Sequence, residues 1–169
     1  MLVYHPAFDL HHCTFRLLQI LFNIDQDQIE VDRLRIWDFY YTFPSEISKN
    51  ITFIEELRPL RKIFNYGVNP YEEIGDVKRV FDQMKPFQMA ALNYLASRGL
   101  IDGELWERGI VNLQTEKIPA DLLTRLSTLS VQQQNVLKLM SSPFNDLPLY
   151  GKLGFKNRTG LIDYRYDRV

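Results

Sequence analysis

Apolar side chains recur every three to four residues through most of this chain, and this period limits the fold more than any other feature of the sequence. Such spacing places apolar residues on one face of a helix and polar residues on the other. The first two apolar faces consist of Phe8, Phe15, Leu18 and Phe22, and of Leu34, Trp37, Tyr40 and Tyr41. Asp32, Arg35 and Asp38 fall on the polar side of the second helix. The spacing therefore predicts a mainly α fold.

The later part of the chain adds helices and two predicted β segments. A short helix is expected to end before Pro86, because proline interrupts helical hydrogen bonding, and the next helix is expected to end at Gly99. Two apolar runs flank polar residues and glycines between Leu100 and Leu113, which predicts a winged-helix-like hairpin. Alternating residues near Leu161–Tyr166 predict a short C-terminal strand.

Composition indicates a globular protein of modest size. The 169 residues are 46% hydrophobic, enough for a single compact domain over residues 1–169. The alternative is two lobes, a helical one over 1–66 and a winged-helix-like one with the C-terminal segment over 71–169. The formal net charge of −1 does not favour overall nucleic-acid binding. A single cysteine, no signal-peptide pattern and no long apolar run predict a cytoplasmic protein without a membrane span.

All three histidines and the only cysteine lie within the first thirteen residues, as His5, His11, His12 and Cys13. Neighbouring helical residues point about 100° apart, so His11 and His12 do not easily face one ion. The helical pairing of metal ligands at i and i+4 is absent, and no second Cys or His cluster completes a set. Packed or capping residues are the favoured interpretation, over a metal site or a cysteine nucleophile.

Basic and aromatic residues are concentrated near the C-terminal end of the chain. The segment Gly151–Val169 carries five cationic side chains and two carboxylates, with Phe155, Tyr164 and Tyr166 between them. This pattern is typical of a surface for an acidic protein or a nucleic-acid backbone, and a turn-rich connection is the alternative. Arg158 either pairs with a carboxylate of a partner or satisfies a loop within this chain.

The predicted hairpin bears on whether the protein reads DNA. It carries Asp102, Glu104 and Glu107 against Arg108, and an acidic wing would repel phosphate. The pattern therefore favours protein contacts, and a DNA-binding winged-helix regulator is the alternative function. A small metal-dependent hydrolase would rest on the N-terminal cluster alone.

Seven aromatic residues lie between Trp37 and Phe64, and Phe39 falls on the polar side of its predicted helix. Surplus aromatic side chains are typical anchors of protein interfaces. The alternative is an aromatic-rich core.

Three segments resemble a known group of proteins: VYHPAFDLHHCTFRLL, EVDRLRIWDFYYTFP and KNRTGLIDYRYD. They resemble the small middle components of bacterial three-component systems built around an ABC-type, SMC-like ATPase, a group that includes the Lamassu anti-phage and anti-plasmid systems. The resemblance runs from Val3 to Asp167, and none of its motifs is a chemical signature.

The resemblance implies a non-enzymatic accessory subunit in a defence complex. In such systems the ATPase senses DNA, an effector that is often a nuclease acts, and the middle component joins them. The expected partners are therefore an SMC-like ABC ATPase subunit and an effector subunit, with DNA contacted through the complex. No catalytic, cofactor-binding or metal-binding residue is predicted. The predicted partner-binding residues are Tyr4, His5, Trp37, Tyr41, Phe155, Lys156, Arg158 and Tyr164.

Overall fold

A computed structural model describes residues 4–65 and 74–163, and within them the chain is mostly helical, which confirms the mainly α prediction. The α-helices are α1 (Leu10–Asn23), α2 (Val31–Thr42), α3 (Ser45–Asn50), α4 (Val77–Ser97), α5 (Gly103–Glu107), α6 (Ala120–Ser127), α7 (Val131–Met140), α8 (Pro143–Asp146) and α9 (Phe155–Thr159). Short 3₁₀ segments span Pro6–Phe8, Glu55–Phe64 and Thr115–Lys117. The strands β1 (Ile29–Glu30) and β2 (Ile110–Val111) pair antiparallel, with Ile29 opposite Val111.

Helix α2 lies at the centre of the fold. Every residue from Arg33 to Tyr41 is at most 5% exposed, so the helix is buried on all of its faces. Helices α1, α3, α4, α7 and α9 all contact it. The sequence predicted a helix with one solvated side, yet Arg35 and Asp38 from that side are buried as well. Their charges are therefore satisfied inside the protein.

Helix α4 is one continuous helix of 21 residues, so the prediction that a helix ends before Pro86 is wrong. The Asp76 carboxylate caps its start by accepting a hydrogen bond from the Arg79 backbone at 3.0 Å. Its buried face includes Phe81, Met84 and Gln88 and packs against α1 and α2. Packing on both sides of the proline outweighs the hydrogen bond that proline cannot donate.

The end of α4 agrees with the sequence. Gly99 adopts a left-handed conformation with φ of 69°, which glycine tolerates without steric cost. The Gly99 N–H donates to the Ala96 carbonyl, and the Leu100 N–H donates to the Leu95 carbonyl. This pair of bonds is the Schellman motif, so the predicted helix stop at Gly99 is confirmed.

The structure differs from the predicted hairpin at the tip between Ile101 and Leu113. Ile101 and Leu113 form an antiparallel bridge, but α5 rather than a strand turn lies between them. The Asp102 carboxylate caps α5 by accepting from the Leu105 N–H at 2.9 Å, which stabilises a helix where strands were expected. After Gly109, β2 pairs with β1 instead of with its own preceding segment. The segment therefore anchors the chain that enters α2, and the described residues form no wing of two strands here.

The C-terminal part ends in a short helix rather than in a described strand. Helix α9 stops at Gly160, which has φ of 65°. Residues Leu161–Asp163 form a bend and an irregular residue, and the rest of the predicted strand lies outside the described residues. Buried side chains from both predicted lobes belong to one hydrophobic core. No described helix has the length and apolar content needed to cross a bilayer.

Candidate partner-binding surface

Four of the eight predicted partner-binding side chains lie inside the fold: Trp37, Tyr41, Phe155 and Lys156. The Trp37 indole Nε1 donates to Asn145 Oδ1 at 3.2 Å, and its ring centroid lies 4.9 Å from that of Phe155. The Tyr41 hydroxyl donates to Gln19 Oε1 at 2.7 Å. These contacts match the aromatic-core alternative.

The same alternative accounts for the whole aromatic segment. All seven aromatic side chains between Trp37 and Phe64 are buried or half-buried, including Phe39 from the predicted polar side. The segment from Trp37 to Phe64 therefore has no surplus of exposed aromatic rings.

A buried ionic network connects α2 to α1 and α4. The Asp38 carboxylate accepts two hydrogen bonds from the Arg16 guanidinium, at 2.8 and 3.2 Å, and one from Gln88 Nε2 at 2.9 Å. Gln88 Oε1 accepts from Arg35 Nε at 3.0 Å, and Arg16 also donates to the Pro6 carbonyl. Burial opposes the Arg16 cation, but the attraction of Asp38 outweighs it and raises the pKa of Arg16. The polar face of α2 is thereby neutralised within the chain.

The network continues from α2 to α9. Asp32 accepts from Arg35 Nη1 at 3.2 Å and forms an ion pair with Lys156 Nζ at 3.0 Å. Lys156 also lies 4.6 Å from the centroid of the Tyr150 ring. The three segments that carry the family resemblance therefore meet at α2. Phe155 and Lys156 hold the C-terminal segment onto the core rather than projecting from it.

Arg158 bridges two loops of this chain. Its guanidinium donates to the Leu153 carbonyl at 3.1 Å and to the Thr52 carbonyl at 3.2 Å. The Thr52 N–H also donates to the Arg158 carbonyl at 2.8 Å. These contacts match the alternative in which Arg158 forms hydrogen bonds to loops of its own chain. Reversing its charge would disturb the loop as well as any partner, so neighbouring residues make better probes.

The loop held by Arg158 exposes apolar side chains. Leu153 is 71% exposed and Tyr150 is 52% exposed, and the Lys152 side chain is exposed between them. A Cβ at Gly154 would collide with the Tyr150 carbonyl, so the tight path of this loop requires glycine. We call Tyr150, Lys152, Leu153 and Arg158 the C-terminal loop surface. Its backbone is fixed to α9 and to Thr52, and its apolar tips face solvent.

The N-terminal predicted residues form a separate patch. Tyr4 is 64% exposed and its ring lies 6.0 Å from that of His12. The His5 ring stacks on Phe43 at 5.3 Å, and its Nδ1 accepts a hydrogen bond from the Ala7 backbone. Burial, with a smaller effect of the Arg16 cation, lowers the pKa of His5. This patch shares no residue with the C-terminal loop surface, and Tyr164 lies outside the described residues.

The N-terminal histidines and the cysteine differ in their exposure to solvent. His11 and His12 are exposed, whereas Cys13 is fully buried. Within residues 4–65 and 74–163, no group of three or more His, Cys, Asp or Glu side chains could hold a metal ion. Burial, aided by Asp38, raises the pKa of the Cys13 thiol well above its usual range, which is the opposite of nucleophile activation.

Cys13 is therefore expected to react slowly while the protein is folded. At pH 8, a thiol reagent should modify Cys13 at least about a hundredfold more slowly in buffer than in 6 M guanidinium chloride, because the native thiol is buried and protonated. Absorbance of the released reagent group measures both rates. Comparable rates in the two solutions would show that the N-terminal segment opens readily.

Sequence reasoning missed the residues that matter most here. Gln88 is polar, so the apolar spacing does not place it in the core, yet it is buried and completes the Asp38 network. Tyr150 and Leu153 lie in a turn-rich stretch without helical period, so no pattern singled them out. An apolar residue beside lysine and glycines in such a stretch is the one available signal of an exposed anchor.

Comparison with known families identifies the chain. The family model described as ABC-three component (ABC-3C) system Middle Component 5 matches residues 2–167. The chain belongs to this family. The resemblance to middle components of ABC-type three-component systems is thereby confirmed, and the match covers all three resembling segments. Comparison with curated proteins and with solved structures finds no match.

As a Middle Component 5 protein, the chain is one part of a multi-component system that includes an ABC component. The predicted partner-binding residues that are not buried fall in two patches of the described structure: the N-terminal patch around Tyr4 and the C-terminal loop surface. The second combines an aromatic, an aliphatic and two cationic side chains on a fixed backbone, which is the composition of a protein interface.

Proposed function

We propose that this Middle Component 5 protein is a non-enzymatic accessory subunit that joins the ABC ATPase of its system to an effector. The observation that carries the proposal is the C-terminal loop surface, where Leu153 and Tyr150 are exposed on a loop tied to the core by Arg158. Exposed anchors on a fixed backbone bind with a small loss of conformational entropy. We further propose that the ATPase is SMC-like, that the effector is a nuclease, and that the system is a Lamassu-type defence against phages or plasmids.

Our proposal that the subunit has no enzymatic activity is supported by the contacts of its buried carboxylates, which are hydrogen-bonded to other side chains of this chain. Asp38 is occupied by Arg16 and Gln88, and the Glu46 carboxylate accepts from Lys49 and Asn50. These side chains stabilise the fold and do not converge on an open cleft. Within the described residues they therefore offer no general acid or base to a substrate.

A DNA-binding regulator has less support. The segment predicted to form its wing exposes Glu104 and Glu107 on or beside α5, and carboxylates repel the phosphate backbone. We therefore propose that DNA contacts this subunit through the assembled complex.

Leu153→Asp is expected to weaken assembly without weakening the fold. The side chain is 71% exposed, so the free energy of unfolding should change by less than about 0.5 kcal/mol. Placing a carboxylate in an apolar interface should reduce the amount of the other components recovered with the tagged subunit by about tenfold or more. Thermal unfolding and co-purification of the co-expressed components measure the two effects.

Val131→Asp is the matched control, because Val131 is 73% exposed and lies on α7, outside the C-terminal loop surface. It should leave both readouts unchanged. Normal assembly of the Leu153 variant would remove this loop from the interface. A wild-type chain that recovers neither component would contradict the proposed function itself.

A further inference from the structure

A basic cleft lies between the end of α3 and the 3₁₀ segment Glu55–Phe64. Its volume is about 870 Å³, and its walls carry four cationic side chains. These are Lys49, Arg58, Arg61 and Lys62. Among the described residues, no carboxylate lines it. The whole chain has a net charge of −1, so this is a local concentration of positive charge rather than a property of the composition.

Most of this charge is not neutralised within the described chain. Lys49 pairs with the buried Glu46 at 3.3 Å. Arg58, Arg61 and Lys62 form no ion pair with a described carboxylate, and all three side chains are exposed. Arg61 Nε donates to the Ser48 carbonyl at 2.6 Å, which holds that guanidinium in place. The cleft therefore presents cations to an anionic group, one of them already oriented.

The cleft adjoins the C-terminal loop surface through Thr52. Thr52 lines the cleft, and its backbone exchanges hydrogen bonds with Arg158. Arg158 in turn holds the loop that exposes Leu153. An occupant of the cleft that extends past Thr52 would therefore meet apolar side chains next to the cations.

This combination fits a protein better than a nucleic acid. Single-stranded nucleic acids use aromatic rings as stacking platforms, but among the described residues Phe53 is the one aromatic residue that lines the cleft, and it is buried against Phe144. Arg and Lys bind carboxylates as well as phosphates, and an exposed Leu adds affinity only for an apolar partner residue.

We propose that the cleft binds an acidic segment, rich in Asp and Glu, of another component of the same system. This proposal rests on the proposed function, since it assigns a partner segment to a surface that adjoins the C-terminal loop surface. The Arg58 and Arg61 guanidinium groups each bind a carboxylate through two parallel hydrogen bonds, and Lys62 adds a further charge. An apolar residue of the same partner packs on Leu153.

The test reverses the charge of the cleft in the co-expressed complex. The double variant Arg58→Glu with Lys62→Glu should reduce recovery of the partner by about tenfold or more, because two attractive contacts become repulsive. The matched control reverses Lys85 and Lys138, which are exposed on α4 and α7, and gives the same net charge. This control should assemble normally. If the cleft double variant fails to fold, Arg58→Gln with Lys62→Gln replaces it.

Carbodiimide cross-linking of the wild-type complex identifies the occupant. This reagent joins a lysine to a carboxylate in direct contact, so mass spectrometry should find Lys62 or Lys49 linked to Asp or Glu of another component. Normal assembly of the charge-reversed variant without such cross-links overturns the acidic segment, while the Leu153 result still supports the proposed function. Steeply salt-dependent binding of a 20-base-pair DNA duplex, lost in the cleft variant, overturns it in favour of phosphate.

Discussion

Asp38→Ala should reduce the free energy of unfolding by about 3–5 kcal/mol. The substitution removes the carboxylate but leaves the Arg16 guanidinium and the Gln88 amide inside the fold without their partner. An uncompensated buried charge costs far more than a lost surface ion pair, because water only partly replaces the contact when the Arg16 side chain is 11% exposed. Urea denaturation followed by circular dichroism measures the change.

The control for this prediction is Asp25→Ala, in the loop that follows α1. Asp25 is exposed, so its loss should change the free energy of unfolding by less than about 0.5 kcal/mol. If Asp38→Ala lowers the free energy of unfolding by less than about 1 kcal/mol, water solvates the Arg16 guanidinium and the buried network contributes little to stability.

Trp37→Ala should cost about 3–5 kcal/mol of unfolding free energy. The side chain is fully buried, so its removal leaves a cavity beside Phe155. It also removes the hydrogen bond that Asn145 Oδ1 accepts from the indole. Trp37→Phe retains most of the volume and should cost about 1–3 kcal/mol, mainly because the Asn145 amide loses its partner. Denaturant unfolding of both variants gives the two values.

The Trp37 variants also separate a core role from a partner contact. A core role predicts that stability falls and that any loss of assembly follows from unfolding. A Trp37→Phe variant that is as stable as the wild type but no longer recovers the other components would instead place this indole at the interface. The Leu153→Asp variant is the comparison, since it changes an exposed side chain.

The sequence predicts α7 because its burial is one-sided. Val136 and Met140 are buried, whereas Val131 and Lys138 are exposed. In α7 the Ser130 hydroxyl and the Gln133 side chain form a capping box, which local sequence alone specifies. Such signals need no knowledge of the rest of the chain.

The burial of α2 on all sides cannot be predicted from its apolar spacing, because its polar residues pair with residues that are far away in the sequence. Asp38 looks solvated in the sequence, and its partners Arg16 and Gln88 lie 22 and 50 residues away. Periodicity records which side chains are apolar, but it does not record which charges meet. The exposed Leu153 is the converse case, since an apolar residue in a turn-rich stretch carries no mark of its exposure.

Other interactions override the sequence pattern at two further places. Pro86 lies within α4 because side chains before it (Phe81, Met84) and after it (Leu92, Leu95) are buried in the core. The tip of the predicted hairpin becomes helical because Asp102 supplies a cap. A helix breaker or a turn signal is present in both cases, and it is outweighed by core packing at Pro86 and by the Asp102 cap at α5.

The burial of α2 on every side has a consequence for the order of events during synthesis. Trp37 and its hydrogen-bond partner Asn145 are separated by 108 residues, and the ring of Phe155 that covers the indole lies further along the chain. A ribosome therefore releases α2 long before its last covering helix exists. Until α9 emerges, the aromatic side chains of α2 lack part of the surface that covers them, and Asp32 lacks its ion pair with Lys156. Such a chain depends on rapid completion, or on a chaperone, to escape aggregation.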